Sequence, residues 1–129
     1  DPSEAAEFAR LTGVDALAVS VGNVHLQQDQ SGGLDEKRIN EIDARTEVPL
    51  VIHGGSGVPH AQRQRLAQTT SICKFNIGTE LRMAFGTALR EALASDPDRF
   101  DRVKILKDVE APLMEATRLV LRGLKNASD

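Results

Sequence analysis

The sequence lacks tryptophan and tyrosine, and its four phenylalanines make up 3% of the 129 residues. A core must therefore be built from aliphatic side chains, because these are the large apolar residues that remain. A single cysteine is present, which excludes an internal disulfide and favours a cytoplasmic location. No apolar run approaches the roughly 20 residues of a membrane-spanning helix. The first residues have neither the basic nor the apolar segment of a signal peptide, so we expect no membrane association.

An excess of positive charge is also missing. Lysine and arginine number 16 against 19 aspartates and glutamates, for a net charge of −3, which gives no reason to expect nucleic acid as a partner. The chain is long enough for one domain with a core, and its 40% hydrophobic and 27% charged residues are typical of a globular protein. A first residue other than Met, followed at once by helix signals, fits a piece of a longer protein.

Three short apolar segments alternate with helical patterns. We predict strands at 16–22, 49–53 and 72–77. The first is a continuous, mostly apolar run, as expected of a parallel strand buried on both faces, and the second is also expected to be buried. The predicted helices are 2–12, 34–45, 59–69, a fourth that Thr79 caps and that ends before a turn at 95–98, and a last one at 103–125 that Pro112 kinks or divides. This alternation predicts an α/β fold with a parallel sheet. The sheet is either small and open or part of a (β/α)8 barrel, which typically needs about 250 residues.

Two histidines follow neighbouring predicted strands. His25 and His53 are one strand–helix unit apart, so they are expected at the same edge of the sheet, where ligands bind in parallel α/β folds. Two imidazoles so placed can share a zinc ion, although a lone histidine at a strand end is more often a hydrogen-bonded loop residue. His60 is expected to face solvent from its helix. A third metal ligand must then come from outside this chain.

The segment HGGSG at 53–57 is a candidate phosphate-binding turn. Glycines allow backbone N–H groups to approach an anion, the Ser56 hydroxyl is a further donor, and the next helix adds its positive end. Asn76 and Thr79, at the following strand end, would complete such a site. The simpler interpretation is that Thr79 caps a helix and Asn76 forms a turn.

The remaining polar residues have structural interpretations. Cys73 is expected in the core, and Lys74 is either a Schiff-base lysine or a partner in a structural ion pair. The carboxylates of Asp29 and Glu80 lie near strand ends, but neither is placed to point inward. Four arginines are interpreted as solvated helix faces: Arg63, Arg65, Arg82 and Arg90.

Three motifs in this order carry a family resemblance: SVGNVH at 20–25, HGGSG at 53–57 and N-x-x-T at 76–79. Together they resemble the last three strand motifs of class II fructose- or tagatose-bisphosphate aldolases, over nearly the whole chain. The resemblance implies that residues 1–129 are the C-terminal half of a single barrel domain. That half is a partial (β/α)8 barrel with the last three strands, their helices and C-terminal helices. One departure is Leu26, where the family usually has glycine.

The resemblance implies a zinc-dependent lyase of glycolysis and carbohydrate metabolism, which reversibly cleaves a ketose bisphosphate to dihydroxyacetone phosphate and an aldehyde. By this analogy His25 and His53 are metal ligands. The phosphorylated sugar would contact six residues: Gly54, Gly55, Ser56, Asn76, Gly78 and Thr79. A monovalent cation often accompanies the phosphate loops of the family. The full-length protein is expected to be a homo-oligomer, a dimer or a tetramer.

No catalytic residue is assigned within the chain. The family's remaining histidine ligand and its proton-transferring aspartate match no residue here, so this half alone is expected to be inactive. Two other interpretations stay open. One is a metal-free phosphate-binding barrel enzyme, such as an isomerase or synthase. The other is a non-enzymatic half-barrel interaction module, since open sheet edges invite pairing with another chain.

Overall fold

The computed structural model of the chain describes residues 1–24, 26 and 28–124. Its elements are α1 (Pro2–Thr12), β1 (Leu17–Val19), α2 (Glu36–Asp43), β2 (Leu50–Ile52), a 3-10 turn (Gly55–Gly57), α3 (His60–Thr69), β3 (Ile72–Phe75), α4 (Thr79–Ser95) and α5 (Arg102–Arg122). The predicted order of strands and helices is confirmed, although each strand has only three or four residues.

Local capping sets several helix boundaries. The Asp1 carboxylate accepts hydrogen bonds from the N–H groups of Ser3 and Glu4, and Gly13 ends α1 in the left-handed region with φ 64°. α2 begins later than predicted because Asp35 accepts from the Arg38 N–H and so becomes the capping residue. These short-range bonds explain why the helix starts are close to their predicted positions.

The three strands form one parallel sheet in the order β1-β2-β3. Leu17 lies opposite Leu50 on the first pair of strands, and Ile52 lies opposite Phe75 on the second. Successive parallel strands joined by helices, each beside the next in chain order, are the repeating unit of a (β/α)8 barrel. The chain therefore has the predicted α/β architecture of a partial barrel.

The core lies between one face of this sheet and the helices. Buried side chains alternate along the strands and pack with helix residues: Leu17, Val19, Leu50, Ile52, Ile72, Ile39, Ile42 and Leu66. The other face is open, with Ala18 and Lys74 exposed. Cys73, which lies at an irregularity in the register between β2 and β3, is exposed as well. The expectation that the first strand is buried on both faces is therefore wrong for the described residues, as is that of a core position for Cys73. In a closed barrel this second face points to the interior.

The two last helices pack against each other through Ala88, Ala92, Val109 and Val120, all of them buried. α5 is one continuous helix that contains Pro112, so the proline does not divide the tail, and the alternative prediction of a kink stays a prediction. None of the helices in the described ranges is both long and apolar enough to cross a bilayer.

Candidate active site

Asn23 joins the ends of β1 and β2. Its Oδ1 accepts a hydrogen bond from the Val21 N–H at 2.7 Å, and its Nδ2 donates to the His53 carbonyl oxygen at 3.0 Å. Val21 is only 2% exposed, so its N–H needs a partner within the protein. One side chain thus fixes the His53 backbone relative to the end of β1. Asn23 is not among the predicted site residues, although an asparagine directly after a strand has the donor and acceptor for such a bridge.

His53, a predicted metal ligand, follows β2 and is half-buried. Its Nδ1 lies 3.0 Å from the Nδ2 of Asn76, which follows β3. The Asn76 backbone is itself fixed, because its N–H donates to the Ile52 carbonyl at 2.8 Å and its carbonyl accepts from the Gly55 N–H at 3.0 Å. With the amide turned so that Oδ1 accepts from Nδ1–H, the Nε2 of His53 carries the lone pair that a metal ion requires.

His25, the other predicted metal ligand, lies outside the described residues, so the pairing of the two histidines stays a prediction. Within the described part of the chain, no three histidine, cysteine, aspartate or glutamate side chains are grouped so that they could hold a metal ion. Leu26 is described, and it adopts φ 60°, in the left-handed region that favours glycine. The departure noted at this position therefore coincides with local backbone strain.

The Gly55–Gly57 turn brings the end of β2 close to the segment after β3. Gly54 enters it with φ 62°, a conformation that glycine adopts without strain. A side-chain carbon on Gly55 would lie 3.2 Å from Ile77 and 3.3 Å from the Asn76 carbonyl oxygen. Glycine at this position thus permits the close approach of the two segments.

Ser56 connects this turn to α4. The side chain is buried, and its Oγ accepts a hydrogen bond from the Glu80 N–H at 3.2 Å. Gly78 occupies the N-cap position of α4 and has no side chain that could cap the helix. Thr79 is instead the first residue of the helix, so its interpretation as the cap is wrong. Ser56 supplies the oxygen instead. Because Ser56 accepts in this bond, its own hydroxyl proton remains available to donate.

The loop after β1 is held against the same turn. The Gly32 N–H donates to the Gly57 carbonyl at 3.2 Å. Gln62 of α3 binds both backbone groups of Leu34, with 2.8 Å from Leu34 N to Oε1 and 3.0 Å from Nε2 to the carbonyl oxygen. The loops that follow all three strands therefore meet at one edge of the sheet.

The six predicted substrate contacts belong to two adjoining segments of this edge: Gly54, Gly55 and Ser56 after β2, and Asn76, Gly78 and Thr79 after β3. Backbone and side-chain bonds join the segments through Gly55 to Asn76 and through Ser56 to Glu80. The predicted convergence of these residues is thus observed, while their contacts with a substrate stay a prediction.

The model of the class II fructose-bisphosphate aldolase family matches residues 1–128. The chain belongs to this family.

A solved aldolase structure is also similar to this chain. The YdjI aldolase from Escherichia coli K12 is 31% identical in sequence, with a TM-score of 0.68. The match covers 96% of this chain and 41% of the YdjI chain. The present sequence therefore spans less than half the length of that aldolase.

Two arginines of α3 in this class II aldolase chain hold carboxylates of other helices. Arg65 hydrogen-bonds to Glu36 and, together with the Gln62 amide, holds the pKa of that carboxyl below its ordinary value. Arg63 is 1% exposed and donates to Glu80 at 3.1 Å. The interpretation of Arg63 as a solvated residue is therefore wrong. Sequence alone offered no signal for it, since its partner lies in another helix.

Proposed function

We propose that this chain forms part of a zinc-dependent aldehyde-lyase that reversibly cleaves a ketose bisphosphate to dihydroxyacetone phosphate and an aldehyde. Membership of the class II aldolase family supports aldol chemistry in general. The observation that carries the proposal is the convergence at the carboxyl edge of the sheet, where the His53 ring is bonded to Asn76 beside the Ser56 turn. A candidate metal ligand and a candidate phosphate site are thereby adjacent, as the reaction requires.

The phosphate group is proposed to bind between the turn and the start of α4. The first N–H groups of a helix have no partner within the helix, and that end carries a partial positive charge. The Gly55 N–H is already bonded to a carbonyl of the neighbouring segment. We therefore assign the donors to the Ser56 hydroxyl and to the amides of Gly54, Gly78 and Thr79. Gly55 would contribute by allowing the two segments to approach.

The residues fit a metal centre in part. Asn76 offers the His53 ring the kind of hydrogen-bonding partner that orients metal-bound histidines. His25 is proposed as the second ligand, and a third must come from another part of the full-length protein. A bound divalent cation would polarise the substrate ketone, which makes the adjacent carbon more acidic.

Residues 1–129 are accordingly proposed to be the C-terminal half of one barrel domain, inactive alone. Asn76 would hold the histidine ring in place in addition to contacting the substrate.

The test uses the full-length protein, with zinc content measured by mass spectrometry and cleavage assayed on a panel of ketose bisphosphates. His53→Ala is expected to lose bound zinc and activity. Asn76→Ala should weaken zinc binding by about 10- to 100-fold, the usual effect of removing a residue that orients a ligand. His60→Gln removes a histidine outside the proposed centre and should leave zinc content unchanged.

The phosphate assignment is tested separately. Ser56→Ala removes one hydrogen bond to a charged group, a loss of about 1.5–3 kcal/mol, and should raise the KM for the bisphosphate at least tenfold. Cleavage that survives complete removal of zinc by EDTA would instead favour a metal-free phosphate-binding enzyme. A full-length protein that cleaves none of the sugars would contradict the proposed lyase.

Further features are proposed from the family alone: a cytoplasmic location, a dimer or tetramer of full-length chains, and a monovalent cation near the phosphate turn. Light scattering of the full-length protein tells a dimer from a tetramer directly. Activity in potassium compared with a bulky organic cation tests the monovalent site.

A further inference from the structure

Arg63 is the largest of the fully buried side chains, at 1% exposure. Any additional part of the protein can only cover it further. A buried guanidinium is costly unless it is hydrogen-bonded to suitable partners. Its Nη1 donates to Glu80 Oε2 at 3.1 Å, and its Nη2 lies 3.0 Å from His60 Nδ1. The buried Nε has no hydrogen-bond partner among the residues that the structure describes.

Glu80 connects this buried cation to the proposed phosphate site. The residue lies in the first turn of α4, directly after Thr79, and its backbone N–H donates to Ser56 Oγ at 3.2 Å. Its side chain turns back to α3, where the second carboxylate oxygen is 3.6 Å from His60 Nε2. Arg63 and Ser56 therefore hold the same residue, one by its side chain and the other by its backbone.

The charges give Arg63 a second effect. The Glu80 carboxylate belongs to the helical turn that is proposed to face a phosphate dianion, and like charges at short range repel. Pairing with Arg63 neutralises that carboxylate and holds it on the side of α3. By contrast, the Arg65–Glu36 pair joins the same helix to α2, which contributes no residue to the proposed phosphate site.

We propose that Arg63 is a positioning residue for phosphate binding: through Glu80 it fixes the first turn of α4 against Ser56 and offsets a carboxylate beside the anion. The inference rests on the proposed phosphate site. It predicts that Arg63 sets the affinity for phosphate without contacting it, while the metal centre at His53 is unaffected.

The experiment compares Arg63→Met with Arg65→Met in the full-length, zinc-loaded protein. Binding of inorganic phosphate is measured by calorimetry, together with zinc content, kcat and KM. Arg63→Met should weaken phosphate binding about tenfold, which is within the range that indirect substitutions impose on a site, and should raise KM more than it lowers kcat. Arg65→Met removes the same charge from the same helix and should change neither the affinity for phosphate nor the KM. Arg63→Met combined with Glu80→Gln removes the repelling charge and should recover only the part of the affinity that Arg63→Met loses through charge repulsion.

The outcomes separate this inference from the function on which it rests. If folded Arg63→Met binds phosphate as the wild type does, with only a lower melting temperature, Arg63 is purely structural and the inference is overturned. A wild-type protein that binds no phosphate and cleaves no sugar bisphosphate would overturn the proposed function as well. Should Arg63→Met fail to fold, Arg63→Lys replaces it, because lysine keeps the charge but loses the forked geometry. Unchanged phosphate affinity in that variant would also refute the inference.

Discussion

Replacing Asn23 by leucine tests whether one side chain holds the ends of β1 and β2 together. Leucine has a similar shape but can form neither of the two hydrogen bonds. The Val21 N–H, in a residue 2% exposed, loses its only acceptor among the described residues, and a buried donor left unsatisfied costs about 1–3 kcal/mol. Loss of the bond to the His53 carbonyl adds about 0.5–1.5 kcal/mol. We therefore expect a destabilisation of roughly 2–4 kcal/mol.

Hydrogen exchange at the Val21 amide measures directly the loss of its hydrogen bond to Asn23. A local loss of about 2 kcal/mol corresponds to a roughly 30-fold faster exchange, since 1.4 kcal/mol is a factor of ten. Asn23→Asp is the matched variant, because its carboxylate still accepts from Val21 but cannot donate to the His53 carbonyl. Val21 should stay protected in the aspartate variant, while zinc binding at His53 weakens. Equal Val21 exchange in the wild type and the leucine variant would refute the proposed bridge.

Three further substitutions test the loops and helix contacts around this edge. Leu26→Gly should raise the free energy of unfolding, measured by urea denaturation, by up to about 1 kcal/mol, because glycine adopts a positive φ without strain. Leu26→Ala keeps the strain and should bring no such gain. Gln62→Glu should lower the midpoint of urea-induced unfolding by an amount equivalent to about 1–3 kcal/mol. The reason is that an oxygen replaces the amide donor to the Leu34 carbonyl and faces the Glu36 carboxylate. An unchanged midpoint would contradict this. The Arg65 hydrogen bond lowers the pKa of Glu36 in the folded state. The ionised Glu36 therefore stabilises the fold fully at a pH above its unfolded-state pKa, and this stabilisation is lost as the pH falls through its folded-state pKa. Glu36→Gln should therefore flatten the dependence of stability on pH in the acidic range, as followed by thermal unfolding.

Local patterns were sufficient for the order of elements and for the convergence of the segments that contain the candidate site residues. A proline and a capping aspartate start α1, and a glycine with positive φ ends it. Each of these signals acts over a few residues and so can be read from sequence. Because parallel strands place their carboxyl ends at one edge, the convergence of the segments after β2 and β3 followed from the strand assignment.

Pairings over long distances could not be predicted in the same way. Asn23 binds the backbone of a residue 30 positions away, and Arg63 binds a carboxylate 17 positions away in a different helix. An arginine on a helix is usually solvated, so nothing in the local pattern separates Arg63 from Arg65. Strand burial failed for a related reason: an apolar run does not reveal whether helices cover one face of the sheet or both.

The two candidate sites differ in what they demand of the sequence. The proposed metal site would depend on particular side chains, since the role proposed for His53 requires an imidazole that a neighbouring group orients. The proposed phosphate site would depend mainly on backbone amides, so it should tolerate substitutions of Thr79 that leave the backbone in place. Its sensitivity should instead lie in residues that hold the backbone, which is why a buried arginine without access to the substrate is expected to matter more than the exposed residues around it.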